Sequence, residues 1–581
     1  MTPGQHIKEV SGYNYAYVLT ASACLGSVFY GWDLGLIGGV LALGSFQEYF
    51  GIDMKDVGKK AILLGNIASI LQAGCFFGAL GTGYLSSRFG RRLCLIASGI
   101  LYITGGLLQC TVGLGPSHAA ALHVFYIGRS ISGIGVGMMS TLVPLYISEC
   151  VPRTIRGRCT GALQFSNNVG LMLSCWVNYS ISKNVPYGEK QWRIPLTIQM
   201  IPGLLFIMAM IFQPESPRWL VEHGKHKEAA TVLARTSGKD VDHLTVVQTL
   251  EEIKQEFAGK KQSSFLRHIR QMGESKAVAL RCFIPPLVLC FQQWTGTNAI
   301  NLYGPDIFHN LGIRDTNAVF FAIGVYGVVR VVSVALALTF TVERFGRKRC
   351  LFFGGIGQGL TMFWLGGYGA THQDGTVSPA SYVSIVALYL YGVIFSMGWG
   401  PIPWVVAGEV APNHVRSFAL SIAVGTHWLF GFVILKVTPI MLDRIKYGTF
   451  LFFGSFCMVV ATWAYFCLPE TSGFALEDIK YLFERDVIVR SLQDAPGGKM
   501  FLGGRRVESV ALLKEKWGGI DTTNIGRITI RLISDSLDQI RKSLSSGWHW
   551  LSTVVMLPVR KICNRSCGFV DSHSRLNFVV R

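Results

Sequence analysis

The chain has 581 residues, 50% hydrophobic and only 15% charged, with a formal net charge of +19. A soluble domain carries more charge, and the basic residues are scattered between apolar blocks, which argues against a soluble enzyme and against a nucleic-acid binder. The 14 cysteines are dispersed without a C-x-x-C pair, so they read as buried thiols and not as disulfides or a metal site.

Residues 1–12 are polar and lack the pattern of a secretory leader. Twelve apolar blocks of about 20 residues follow, each long enough to cross a bilayer as a helix. They fall at 14–38, 61–85, 93–113, 122–148, 157–181, 192–212, 280–302, 317–341, 350–370, 382–407, 416–437 and 447–467. The polar stretch 213–278 divides them six and six, and "HKEAATVLARTSG" and "VQTLEEIKQEFAG" within it read as short amphipathic helices. The predicted fold is an all-α membrane protein in two pseudo-symmetric six-helix bundles. Its domains are 1–212, a helical linker 213–278, 279–483, and a tail 484–581. In the tail, "IGRITIRLISDSLDQIRKSL" has a basic amphipathic character. It reads either as a membrane-surface helix or as a disordered segment.

Orientation follows from the short loops. "SSRFGRR", "PRTIRGR" and "ERFGRKR" fall on one side, while loops 113–123 and 370–381 contain no Lys or Arg. The basic side is therefore expected to be cytoplasmic, with both termini inside. The halves also repeat. "GYLSSRFGRR" returns as "FTVERFGRKR", "PLYISECVPRTIRG" as "WVVAGEVAPNHVRS", and "PESPRW" as "PETSGF", all offset by 255 to 260 residues. Two parallel repeats with a site between them are a transporter architecture.

These motifs, with Q-Q-x-x-G-x-N and G-P-x-P-W, resemble those of sugar porters of the major facilitator superfamily, most of all its fungal members. The resemblance covers residues 14–483. It implies secondary transport by alternating access, no enzyme activity, no cofactor beyond a proton gradient, and a monomer in the plasma membrane. It also implies ion pairs at cytoplasmic helix ends that latch the closed state. These comprise Arg88, Arg91, Glu149, Arg156, Glu215 and Arg218 in the first half, with Arg344, Arg347, Glu409, Arg416 and Glu470 as counterparts. Ser87 stands where the family usually has Asp, which weakens the expected first latch.

A sugar site needs amides and hydroxyls for hydrogen bonds and rings for C–H faces. Gln292, Gln293 and Asn298 on the seventh block, and Gln164 on the fifth, match sugar-binding positions of the family. Trp404 and Trp428 match its aromatic positions. His427 replaces the Gln or Asn of relatives, and Leu302 replaces a common Tyr. At ~1.5 Å per residue, Gln292, Arg330 and His427 all lie about 17–20 Å from the basic end, near the midplane.

Asp33 and Arg129 lie at about 28 and 30 Å on the same scale. Both match a pair used in proton-coupled relatives, so they are the expected coupling pair. A charge at Arg330's depth costs at least ~2.5–3.5 kcal/mol. If Asp33 pairs with Arg129, Arg330 lacks a protein anion, and an acidic substrate would complement it; the alternatives are an Arg330–Asp33 pair, or an arginine that only hydrogen-bonds neutral hydroxyls and carbonyls. Hexose carriers commonly have Asn nearby, whereas fungal quinate-type permeases are similar to this chain in carrying a basic residue in a "GVV" context. The leading reading is proton symport of a sugar or hydroxy acid such as quinate or a uronic acid. A facilitative hexose carrier and a transporter-like nutrient sensor are the alternatives.

Overall fold

A computed structural model describes residues 13–52, 57–112, 118–257, 270–311, 313, 315–341, 345–372, 379–412, 415–472, 479–483 and 491. The terminal tail reading and Arg344 lie outside the described residues.

Among the described residues, twelve membrane-scale helices follow one another. They are α1 Asn14–Ala42, α2 Val57–Phe89, α3 Arg91–Cys110, α4 His118–Cys150, α5 Arg156–Asn184 and α6 Lys190–Ile211 in the first half. In the second half they are α7 Lys276–His309, α8 Thr316–Leu336, α9 Arg347–Thr371, α10 Pro379–Val410, α11 Arg416–Arg444 and α12 Gly448–Cys467. Among the described residues ten of these are long and apolar enough to cross a membrane by composition. The other two, α5 and α9, are long enough. Buried polar groups such as Asn167, Asn168, Ser174 and Asn178 dilute the apolarity of α5. Helices suit this setting because they satisfy every backbone N–H and C=O within the segment. Most of them extend several residues beyond the apolar blocks, since the blocks mark only the lipid-depth part of each helix.

Three spans are broken, each for a local reason. α6 is two segments flanking Gln199, with Pro195 in the first. α7 breaks between Lys276–Trp294 and Thr297–Asn310, where Gly296 adopts φ +86°. That left-handed conformation favours glycine, and the Phe453 ring occupies the place of a Cβ. α10 breaks between Pro379–Met397 and Ile402–Val410 at the "GWGP" stretch. The linker forms short helices Pro217–Glu222, His226–Ser237 and Leu244–Phe257 around a small core that includes Leu220, Ala229, Leu233 and Ile253.

Small residues let helices approach closely. Cβ atoms added to Gly74 of α2 or Gly133 of α4 would each run into backbone of the other helix. At the end away from the basic loops, the halves seal together. Leu36, Ile37, Leu64 and Ile67 of the first half pack with Leu302, Tyr303, Phe320 and Leu435 of the second. A Cβ on Gly38 would meet the Leu302 carbonyl. At the basic end, a cavity of about 440 Å³ opens between α4 and α5 on one side and α10 and α11 on the other.

Candidate substrate site and charge clusters

The second broken helix brings the amides together. Asn298 Nδ2 donates to Gln293 Oε1 at 2.6 Å, and Gln293 Nε2 lies 2.9 Å from a ring nitrogen of His427. The imidazole is buried and stands edge-on to Trp404 at 5.1 Å and Trp428 at 5.2 Å. The first half meets this group directly. Trp428 Nε1 donates to Ser140 Oγ at 3.0 Å, and Tyr30 packs edge-on to Trp428 at 5.2 Å. Gln164 and Trp404 line a smaller cavity of about 60 Å³ with Tyr30, Asn167 and Ser140. This cavity shares Pro144, Thr160, Gly161 and Val405 with the large one at the basic end. Gln164 and Asn167 are the amides that line this smaller space.

Other expected ligands are engaged elsewhere. Gln292 Nε2 donates to the carbonyls of Trp399 and Gly400 at 2.6 and 2.9 Å. These carbonyls are freed where α10 unwinds, so the Gln292 amide ties α7 to α10, leaving its Oε1 buried without a partner. Trp428 is fully buried between the halves. Leu302 sits in the seal at the opposite end. Tyr30, Ser140 and Asn301 escaped the sequence reading. Asn301 follows Asn298 by three residues, a spacing that marks one helix face.

Arg129 Nη1 lies 2.7 Å from Asp33 Oδ1, with side-chain exposures of 0% and 1%. Asp33 Oδ2 and Arg129 Nε and Nη2 have no hydrogen-bond partner. Arg330 is also buried, 3% exposed. Its Nη1 donates to Asn301 Oδ1 at 2.8 Å, its guanidinium lies 5.2 Å from the Phe395 ring and 5.9 Å from Tyr326, and its Nε has no partner. Asp33 is thus engaged by Arg129, and the bonded partner of Arg330 is a neutral amide.

The motif repeat brings corresponding residues into similar clusters at the basic end. In the first half Arg91 forms a two-point pair with Glu149, at 3.0 and 3.1 Å. Glu215 accepts the backbone N–H groups of Arg91 at 2.8 Å and Arg92 at 3.0 Å, capping the start of α3. Ser216 donates to Glu149. In the second half Arg347 pairs with Glu409 at 2.9 Å. Glu470 accepts from the backbone of Arg347 at 2.9 Å and Lys348 at 3.1 Å, and Thr471 donates to Glu409 at 2.7 Å. Both pairs join helices of the same half. Burial pushes the Glu215 carboxyl above its usual range, opposed by the N–H groups of Ser216, Arg91 and Arg92.

Arg156 and Arg416 line the large cavity. Arg88 is exposed beside Tyr84, and Arg218 is half-buried on the short helix Pro217–Glu222. One asymmetry stands out. Arg92 caps the end of α6 by donating to the Met210 carbonyl at 3.4 Å and to the Ile211 carbonyl. Its repeat partner Lys348 instead donates to Ser491, at 2.7 Å to the hydroxyl and also to the carbonyl. The Ser491 hydroxyl in turn reaches the carbonyls of Tyr465 and Leu468 at 2.9 Å. Of the described cysteines, ten are buried and two half-buried, all as free thiols.

Broken helices facing a polar, aromatic site between two repeats define a secondary transporter. The family described as "Sugar (and other) transporter" matches residues 19–483, and the chain belongs to it. It is 32% identical to a probable quinate permease of Neosartorya fischeri over 493 residues, covering 83% of this chain and 90% of the relative. It is 33% identical to a quinate permease of Neurospora terricola over 484 residues, 81% and 89% of the two chains. Its structure is similar to that of the proton:xylose symporter XylE bound to 6-bromo-6-deoxy-D-glucose. That match has a TM-score of 0.70 and 29% identity, over 81% of this chain and 99% of the other. The chain is therefore a multi-pass membrane transporter with the major facilitator fold.

Proposed function

We propose that this transporter is a proton symporter of a cyclic hydroxy acid, quinate or a uronic acid, in the plasma membrane. The observation that carries the reading is Arg330. It is buried, its bonded partner is the neutral Asn301, and the carboxylate of Asp33 is held by Arg129. A carboxylate on the substrate complements the guanidinium with charge-assisted hydrogen bonds. Gln293, Asn298, Gln164 and His427 bind the ring hydroxyls, and Trp404 covers an apolar face of the ring. The names of the quinate-permease relatives support the substrate class, and the symporter neighbour supports proton coupling.

In this reading the basic end is cytoplasmic, by the charge rule for short loops. The conformation is then inward-facing, with the extracellular side closed by the Gly38–Leu302 contact. The Arg–Glu clusters at helix ends serve as the latch when the inner mouth closes. Asp33 carries the proton. Pairing with Arg129 and separation from it in a dry site weigh its two protonation states differently. One observation favours a second reading, facilitated diffusion. The Asp33–Arg129 pair is sealed and directly bonded, as a static structural pair would be.

The test is uptake by the purified full chain in proteoliposomes, comparing quinate, galacturonate and glucose with and without an inward proton gradient. The proposal expects acid uptake that the gradient drives above equilibrium. Preference for glucose removes the substrate reading, and uptake that only equilibrates favours the facilitative carrier.

A further inference from the structure

Asn301 is the hydrogen-bonded partner of the buried Arg330. It lies on Thr297–Asn310, the second segment of α7, and its side-chain oxygen takes one N–H of Arg330 from α8 at 2.8 Å. Two aromatic rings flank the guanidinium. Phe395 lies over it at 5.2 Å, the Tyr326 ring lies at 5.9 Å, and Nε is buried without a partner. Asn301 and Tyr326 also line a small cavity with Cys175, Gly304 and Ile323.

We infer that Asn301 is a positioning residue that sets acid-over-neutral selectivity by holding Arg330 through an uncharged contact. The inference rests on the hydroxy-acid reading above. Two physical points carry it. An amide oxygen satisfies one end of the guanidinium fork without cancelling its charge, so the arginine keeps its full positive charge for an anion. A carboxylate at the same place would neutralise the arginine and compete with any acidic substrate. The second point is spacing. Asn298, bonded to Gln293 and so to the polyol-binding group, is three residues before Asn301. Such neighbours stand about 5–6 Å apart on one helix face. That is also about the span from the carboxylate of a cyclic hydroxy acid to its ring hydroxyls. The second segment of α7 thus addresses the hydroxyls through Asn298 and, through Asn301, holds the α8 arginine that addresses the acid group.

The isosteric substitution Asn301→Asp isolates the effect of charge. In proteoliposomes containing the full chain, quinate uptake should fall relative to uptake of the neutral cyclitol myo-inositol by about tenfold or more, the usual scale for losing a hydrogen bond to a charged group. Asn301→Ser, which keeps a neutral acceptor, should hold the ratio near that of the wild type. A wild type that carries quinate, with an unchanged ratio in Asn301→Asp, overturns this inference alone. Equal loss of both substrates in Asn301→Asp marks a purely structural role and also overturns it. A wild type that carries only neutral substrates overturns the hydroxy-acid reading and the inference with it.

Discussion

Asp33→Asn separates the structural from the coupling role of the buried pair. The substitution keeps the shape of the side chain but removes its charge. Arg129 is then left fully buried, with its Nε and Nη2 already lacking partners and its Nη1 facing a neutral group in place of a carboxylate at 2.7 Å. Removing one partner of a buried ion pair costs ~3–5 kcal/mol, chiefly because the other charge stays buried uncompensated. The single variant should therefore unfold at a clearly lower temperature in detergent. The double variant Asp33→Asn/Arg129→Gln should regain most of that loss, since two neutral amides can pair in the same space. Coupling behaves differently. Both variants lack a site that can gain and lose a proton, so both should fail to accumulate substrate against a gradient while still exchanging it across the membrane. Thermal unfolding of purified protein and paired accumulation and exchange assays read the two effects separately. Accumulation that survives Asp33→Asn refutes the coupling role. A single variant as stable as the wild type refutes the account of the pair as a buried charge needing its partner.

Gln293→Ala and Asn298→Ala should each weaken substrate binding by roughly 1–3 kcal/mol, the cost of an unpaired buried polar partner. Gln292→Ala should instead lower thermal stability, because it strands the Trp399 and Gly400 carbonyls that its amide satisfies; binding isotherms alongside melting curves distinguish the two. Ser491→Ala should destabilise the protein by about 1–2 kcal/mol, and Lys348→Arg should rescue it, since arginine at the repeat-related position 92 reaches the carbonyls at the end of α6 directly. A melting temperature unchanged by Ser491→Ala counts against that bridge. Gly38→Val should wedge the Leu302 contact open and shift the protein away from the conformation with an open basic end. Thiol labelling of a cysteine introduced at Ser148, which lines that mouth, should then slow.

The fold was legible because bilayer thickness and motif repetition are both written in one dimension. Each apolar block had to be a helix, and the common offset of 255 to 260 residues among the three repeated motifs implied two similar bundles. Pairings between distant helices were legible only where depth could be counted, as for Asp33 with Arg129. What depth leaves open is azimuth. Gln292 and Gln293 are adjacent, so they point about 100° apart around the helix. One faces the site, and the other is drawn to the carbonyls that the "GWGP" break exposes. No local pattern foretells that break's demand for a donor. Asn301 carried a signal in its spacing from Asn298, but its meaning needed the position of Arg330 on a different helix. The Lys348–Ser491 contact joins residues 143 apart, and nothing in the motif hints that the lysine needs a serine to do what Arg92 does alone.

The most direct test of the account compares quinate with myo-inositol uptake in wild type and Arg330→Gln, reconstituted at equal density under one inward proton gradient. The account predicts quinate uptake in the wild type and its selective loss in Arg330→Gln, by about tenfold to a hundredfold, as expected for a charge-assisted pair. Any myo-inositol uptake should stay near the wild-type level. Equal loss of both substrates, or a wild type that excludes quinate, would contradict it.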